Sequence, residues 1–222
     1  MQNEVFFMAS CVVFCAGAFS SLIRPLEKND YVLAADGGFV HTQQLGLQPD
    51  GILGDFDSLG YIPQGANVFP VKKDDTDAML AARHGLSKGY TRFLFYGSLD
   101  GPRLDHTVAN FQTLLFLANK GATGFLIGEN HIVTLIRNGV LTFPGEATGT
   151  VSVFCLGEDA EGVSIEGLAY PLESGTLSAG FPLGVSHHFT GAPARIRVEK
   201  GSLLIIYDRK NGLDGIVHGK NP

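Results

Sequence analysis

The sequence predicts an N-terminal α/β domain built on a parallel sheet, followed by a C-terminal all-β sandwich. Two observations carry this. Through the first ~130 residues short apolar runs alternate with helix-like segments, the pattern of strands covered by helices on both faces. Beyond residue 130 the texture changes to short alternating runs broken by glycine, with no long helical period. The division expected is therefore 1–129 for the α/β domain and 130–222 for the β-sandwich.

In the first half, residues 12–15, 31–35, 51–54, 68–71, 93–96 and 125–127 read as buried strands. Residues 38–45, 76–85 and 105–119 read as helices. The last has Leu104, Val108, Phe111 and Leu115 at helical spacing, with Gly121 soon after its end. In the second half the alternating runs are 151–156, 162–165, 195–198 and 203–207. A parallel sheet of the first kind binds ligands at the carboxyl ends of its strands, so the loops there are where chemistry is expected.

Composition narrows the function classes. The formal charge of −6 argues against nucleic acid, since phosphate-backbone binding needs a basic surface. Glycine supplies 29 of 222 residues, well above the usual roughly 7%, so tight turns and close backbone approaches are expected. The apolar stretch 5–17 carries Glu4 before it instead of a basic segment, and it is too short for a spanning helix. It reads as a buried first strand of a cytoplasmic protein with no membrane partner. Cys11 and Cys15 in that strand would stand ~13 Å apart, beyond the ~7 Å reach of a disulfide. Free thiols in a reducing compartment are expected.

The acidic loops follow strands. Gly54-Asp55-Phe56-Asp57-Ser58 leaves an apolar run, and in extended chain Asp55 and Asp57 point the same way, able to share one cation. Lys73-Asp74-Asp75-Thr76-Asp77 opens a helix. Capping alone favours such residues there, yet so many carboxylates repel unless a cation or Lys73 offsets them. Gly97-Ser98-Leu99-Asp100-Gly101-Pro102-Arg103-Leu104-Asp105-His106 again runs from strand to helix, offering amides, a helix N-terminus and the planar Arg103 cation to an anion. Asp105 has three readings: helix cap, metal or ribose contact, or base near an alcohol. Asp36-Gly37-Gly38 ends another strand. Together these loops point to a magnesium-dependent enzyme that handles nucleotide phosphates.

Taken in order, Ala35-Asp36-Gly37-Gly38, Pro49-Asp50-Gly51-Ile52-Leu53-Gly54-Asp55-Phe56-Asp57-Ser58, Lys73-Asp74-Asp75-Thr76-Asp77 and Arg103-Leu104-Asp105-His106-Thr107-Val108-Ala109-Asn110 resemble the thiamine pyrophosphokinase family. The C-terminal half resembles it in the segment from Glu161 to Leu172, and in Ser186 with Phe189-Thr190-Gly191. The resemblance implies transfer of the diphosphate of ATP to the hydroxyl of thiamine, giving thiamine diphosphate and AMP, with Mg²⁺ as cofactor and a homodimer as the assembly. Carried over by position, Asp55, Asp57 and Asp77 hold magnesium. Asp36, Lys73, Asp74, Thr76, Arg103, Asp105 and His106 line the nucleotide and transfer site, and Ser186 lies by thiamine. Asp74, Asp77 and Asp105 are the candidate bases. The chain departs from the family pattern at Lys72, at Pro102 and at His187-His188. A pterin-alcohol pyrophosphokinase, a metal-dependent nucleotide-sugar transferase and an inactive thiamine-binding sensor are the competing readings.

Overall fold

The structure, a computed structural model, describes residues 9–57, 59–68 and 75–221. The chain divides into two compact units, 1–113 and 114–222.

The first unit holds β1 (Cys11–Phe14), β2 (Tyr31–Ala35), β3 (Gly51–Gly54), β4 (Asn67–Val68) and β5 (Arg92–Tyr96). They lie in the order β5-β1-β2-β3-β4 and every pair is parallel. All of β1 is buried, as a strand covered on both faces must be. The predicted strand at 68–71 meets β4 at Val68; its remaining residues lie outside those described. Helix α1 (Gly38–Gln44) follows β2, and α2 (Asp77–Ser87) precedes β5. The buried face of α2 is Ala78, Ala81, Ala82 and Gly85, small residues that let the helix approach the sheet closely. Because β2 lies on one side of β1 and β5 on the other, the strand order reverses beside β1. A crevice opens at such a switch point.

Helix α3 (Leu104–Asn119) leaves β5. Its predicted apolar stripe is not its core face: Leu104 is 74% exposed and Val108 51%. The buried residues are Asn110, Thr113, Leu114 and Leu117. Two polar residues on the inner face displace the apolar period, and their bonds explain why they are tolerated there.

The second unit contains two antiparallel sheets. One runs β6 (Thr123–Ile127), β7 (His131–Arg137), β14 (Ser202–Asp208), β9 (Thr150–Cys155), β12 (His187–His188). The other runs β11 (Leu172–Leu177), β10 (Ala160–Glu166), β13 (Ala194–Arg197), β8 (Gly139–Phe143), β15 (Val217–Lys220). Aromatic contacts join their inner faces, Phe143 to Tyr207 with ring centroids 5.2 Å apart and Phe125 to His218 at 5.2 Å. This is the expected sandwich.

Candidate active site

The carboxyl ends of β1, β2, β3 and β5 surround a cavity of about 570 Å³ in the first unit, at the switch point. Its floor is the seam between the loops after β1 and β5. Cys15 N–H donates to Tyr96 O (2.8 Å), Gly17 N–H to Gly97 O (2.9 Å) and Ala18 N–H to Asp100 O. The seam requires glycine: a Cβ on Gly97, whose φ is +63°, would stand 2.4 Å from Cys15 O.

Backbone shape presents the carboxylates. Asp36 (φ 47°) and Phe56 (φ 59°) are left-handed, a conformation uncommon for residues with a Cβ. Phe56 is buried against Ala34 and Ile52. With this ring anchored inward, Asp55 and Asp57 on either side turn out, and Asp57 N–H donates to Asp55 Oδ1 at 3.3 Å. Asp36, Asp55 and Asp57 bring one carboxylate oxygen each within 4.8 Å of one another. Asp77, the third ligand expected from the resemblance, opens α2 and lines the same cavity without belonging to that group. Thr76 also lines it and caps α2, accepting from Met79 N–H at 3.2 Å.

A cation, Arg103, stands on the cavity lining. Arg103 makes a two-pronged contact with Asp105, Nε to Oδ1 at 3.1 Å and a terminal nitrogen to Oδ2 at 2.6 Å. Hydrogen bonding from Arg103, with its charge, lowers the Asp105 carboxyl to about 2. Asp105 is therefore the partner of Arg103 and a weak proton acceptor while so held. His106 is exposed and lines the cavity. Cys15 also lines it; burial first, and the charge of Asp77 second, push its thiol up to about 12, so it is no nucleophile at neutral pH.

Among the remaining expected site residues, Ser58, Lys73 and Asp74 lie outside the described residues. Ser186 is in the second unit, left-handed at φ 61°, its N–H donating to Ser152 Oγ at 3.0 Å. Of the adjacent histidines, His187 is buried with Nδ1 2.8 Å from Ala169 O, and His188 is exposed. They face opposite ways, as neighbours on a strand do. Thr107 and Asn110 line the cavity without having been given a role from sequence. The available signal was their i, i+3 spacing on α3.

Comparison with known proteins places the whole arrangement. Residues 23–126 match the family described as thiamin pyrophosphokinase, catalytic domain, and residues 140–203 match thiamin pyrophosphokinase, vitamin B1 binding domain. The thiamine pyrophosphokinase of Bacillus subtilis is 26% identical over 204 residues, covering 86% of this chain and 95% of that protein. The crystal structure of thiamine pyrophosphokinase from Bacillus subtilis superposes with a TM-score of 0.77 at 21% identity, over 96% of this chain and 100% of that one. The yeast thiamin pyrophosphokinase structure does so with 0.68 at 13% identity, over 96% and 90%. At these identities the superpositions establish the fold. Two domains of one family, matched consecutively along most of the chain, establish the kinship, and the chain belongs to the thiamine pyrophosphokinase family.

Proposed function

We infer that the chain transfers the diphosphoryl group of ATP to the hydroxyl of thiamine, forming thiamine diphosphate and AMP. The observation that carries this is the carboxylate cluster Asp36, Asp55 and Asp57 in a cavity at the sheet's switch point, within a chain of this family. Clustered carboxylates with no sulfur or nitrogen donor among them suit a hard cation such as magnesium. When bound, magnesium would neutralise charge on adjacent phosphates of ATP. Asp55 and Asp57 with Asp36 would hold it, and Asp77, on the same cavity, is a further carboxylate available to it.

The protein's own residues do the positioning. Arg103 presents a planar cation to the phosphate oxygens, and Asp105 fixes the plane of that guanidinium. Lys73, Asp74, Thr76 and His106 belong to the same nucleotide and transfer site in this reading. Ser186 stands by thiamine in the β-sandwich domain, and the functional division falls at 129/130. A homodimer and a cytoplasmic location complete the proposal. The free cysteines Cys11, Cys15 and Cys155 support the second point. Among the described residues no helix is long and apolar enough to cross a membrane.

Incubating purified protein with thiamine, Mg²⁺ and ATP, and converting the product to its fluorescent thiochrome, tests the reading. Thiamine diphosphate should form in proportion to enzyme. Thiamine binding with no product would identify a sensor instead.

A further inference from the structure

We propose that Arg83 is a positioning residue for the nucleotide: paired with Asp75, it cancels the charge of one carboxylate in the wall that the polyphosphate must approach. The inference rests on the diphosphoryl-transfer reading and adds a residue to it. Its basis is an imbalance of charge. Five carboxylates line the cavity, those of Asp36, Asp55, Asp57, Asp75 and Asp77, against one guanidinium, that of Arg103. Arg103 is itself engaged by Asp105. A divalent cation offsets only part of that charge. A cleft lined by one sign of charge focuses its field, and a negative wall works against the approach of a polyanion.

Asp75 is a lining carboxylate that a protein cation answers: Arg83 Nε lies 2.9 Å from Asp75 Oδ2. Asp75 precedes Thr76, the cap of α2, and Arg83 stands about two turns along that helix. Helical side chains lean toward the N-terminus, so a long arginine on the exposed face reaches back to the residue before the cap. Capping does not use Asp75, since Thr76 Oγ1 takes the Met79 amide. A carboxylate beside a helix N-terminus is nonetheless favoured by the helix dipole, which accounts for its presence there.

The pair is a poor stability device. Its side chains are 54% and 25% exposed, and ion pairs so placed contribute little to folding. Its charge acts further than its contact, because a Coulomb field extends across the cavity that Asp75 lines. With Arg83 present the phosphates meet a neutral pair; without it they meet a full negative charge.

The test is calorimetry of Mg²⁺ with the ATP analogue in which methylene replaces the oxygen between the α- and β-phosphorus, which cannot transfer its diphosphoryl group. Arg83→Gln should weaken the analogue at least ~3-fold, and Asp75→Asn should tighten it by a similar factor, as removal of opposite unit charges near the phosphates requires. In the double variant the two changes should cancel, leaving affinity within about 2-fold of wild type. Arg83→Lys, which keeps the charge, should behave as wild type. The deficit of Arg83→Gln should fade as salt is raised toward ~1 M, where charges are screened beyond ~3 Å. A tether that merely holds the segment before α2 gives a different pattern: both single variants weaker, the double no better, and no dependence on salt. That pattern, or an Arg83→Gln affinity equal to wild type at low salt, would overturn the proposal. The expected pattern with no AMP released from ATP and thiamine would instead overturn the transfer reading and leave the role of Arg83 standing. Wild type that fails to bind the analogue would overturn both.

Discussion

Phe56 sets the geometry of the acidic loop after β3: the residue is 3% exposed, and burying it forces the flanking carboxylates outward. Asp55→Asn or Asp57→Asn should therefore leave folding intact, since removing one charge from a carboxylate cluster relieves repulsion. Turnover should fall at least ~100-fold, about 2.7 kcal/mol of transition-state stabilisation. Near-normal turnover at saturating magnesium would remove that residue from the site. Elsewhere a single pair carries an acid sensitivity. Burial pushes the Asp30 carboxyl up, but hydrogen bonds from Arg24 and from the Glu27 and Ser10 amides outweigh it, leaving it below its ordinary 3.8. A lowered folded value stabilises the fold above the ordinary value, and that contribution disappears as pH falls through the folded one. Tm should thus drop below about pH 4, less steeply in Asp30→Asn than in wild type; parallel acid limbs would contradict this. Asp55 and Asp57 were legible as a local pair, but the extended chain expected there is absent: β3 ends at Gly54 and left-handed Phe56, with its ring buried, turns the two carboxylates out together. Asp36 was placed at the nucleotide site by the resemblance but not grouped with Asp55 and Asp57, since its proximity to them depends on β2 and β3 being neighbours. Thr107 and Asn110 stood in the resembling block without a role, because their bonds go to backbone carbonyls, Leu99 O and Ser98 O, which leave no mark in a residue pattern.

At the scale of elements, α1 meets β1 with no room to spare. A Cβ at Gly38 would stand 1.9 Å from Phe14 O, so Gly38→Ala must push helix and strand apart. Overpacking of this kind costs about 1–3 kcal/mol, and thermal or denaturant unfolding should register it; unchanged stability would show the contact to be looser than described. The strands β2 and β3 coincide with apolar runs visible in sequence, because buried parallel strands leave a continuous apolar record. Helix α3 was found in sequence but turned the wrong way. Its period was read from Leu104, Val108, Phe111 and Leu115, of which the first two are exposed and the last two half-buried, while the inner face carries Asn110 and Thr113. The edge strands β11, β12 and β15 left almost no signal. β12 is two histidines, and Leu172–Leu177 includes glutamate, two residues of small size and a left-handed Ser174. Such polar, irregular edges discourage further pairing and equally conceal themselves from a hydrophobicity pattern.

For the molecule as a whole, the change of texture near residue 130 announced two architectures, and both are present: a parallel sheet with helices and an antiparallel sandwich. The sandwich was readable as a class but not as a strand order, because β6 to β15 connect through pairings distant in sequence, such as β7 with β14 and β8 with β13. The central claim is diphosphoryl transfer, and the aspartates alone do not distinguish it from ordinary phosphorylation, since either reaction needs charge neutralised on adjacent phosphates. The direct measurement uses ATP labelled at the β-phosphorus, with thiamine, Mg²⁺ and purified protein. In diphosphoryl transfer the thiamine oxygen bonds to the β-phosphorus, the bond to the α-phosphate oxygen breaks, and AMP leaves. The label should appear in thiamine diphosphate, with unlabelled AMP formed in equal amount. Label retained in ADP, with thiamine monophosphate as the product, would contradict the function assigned here.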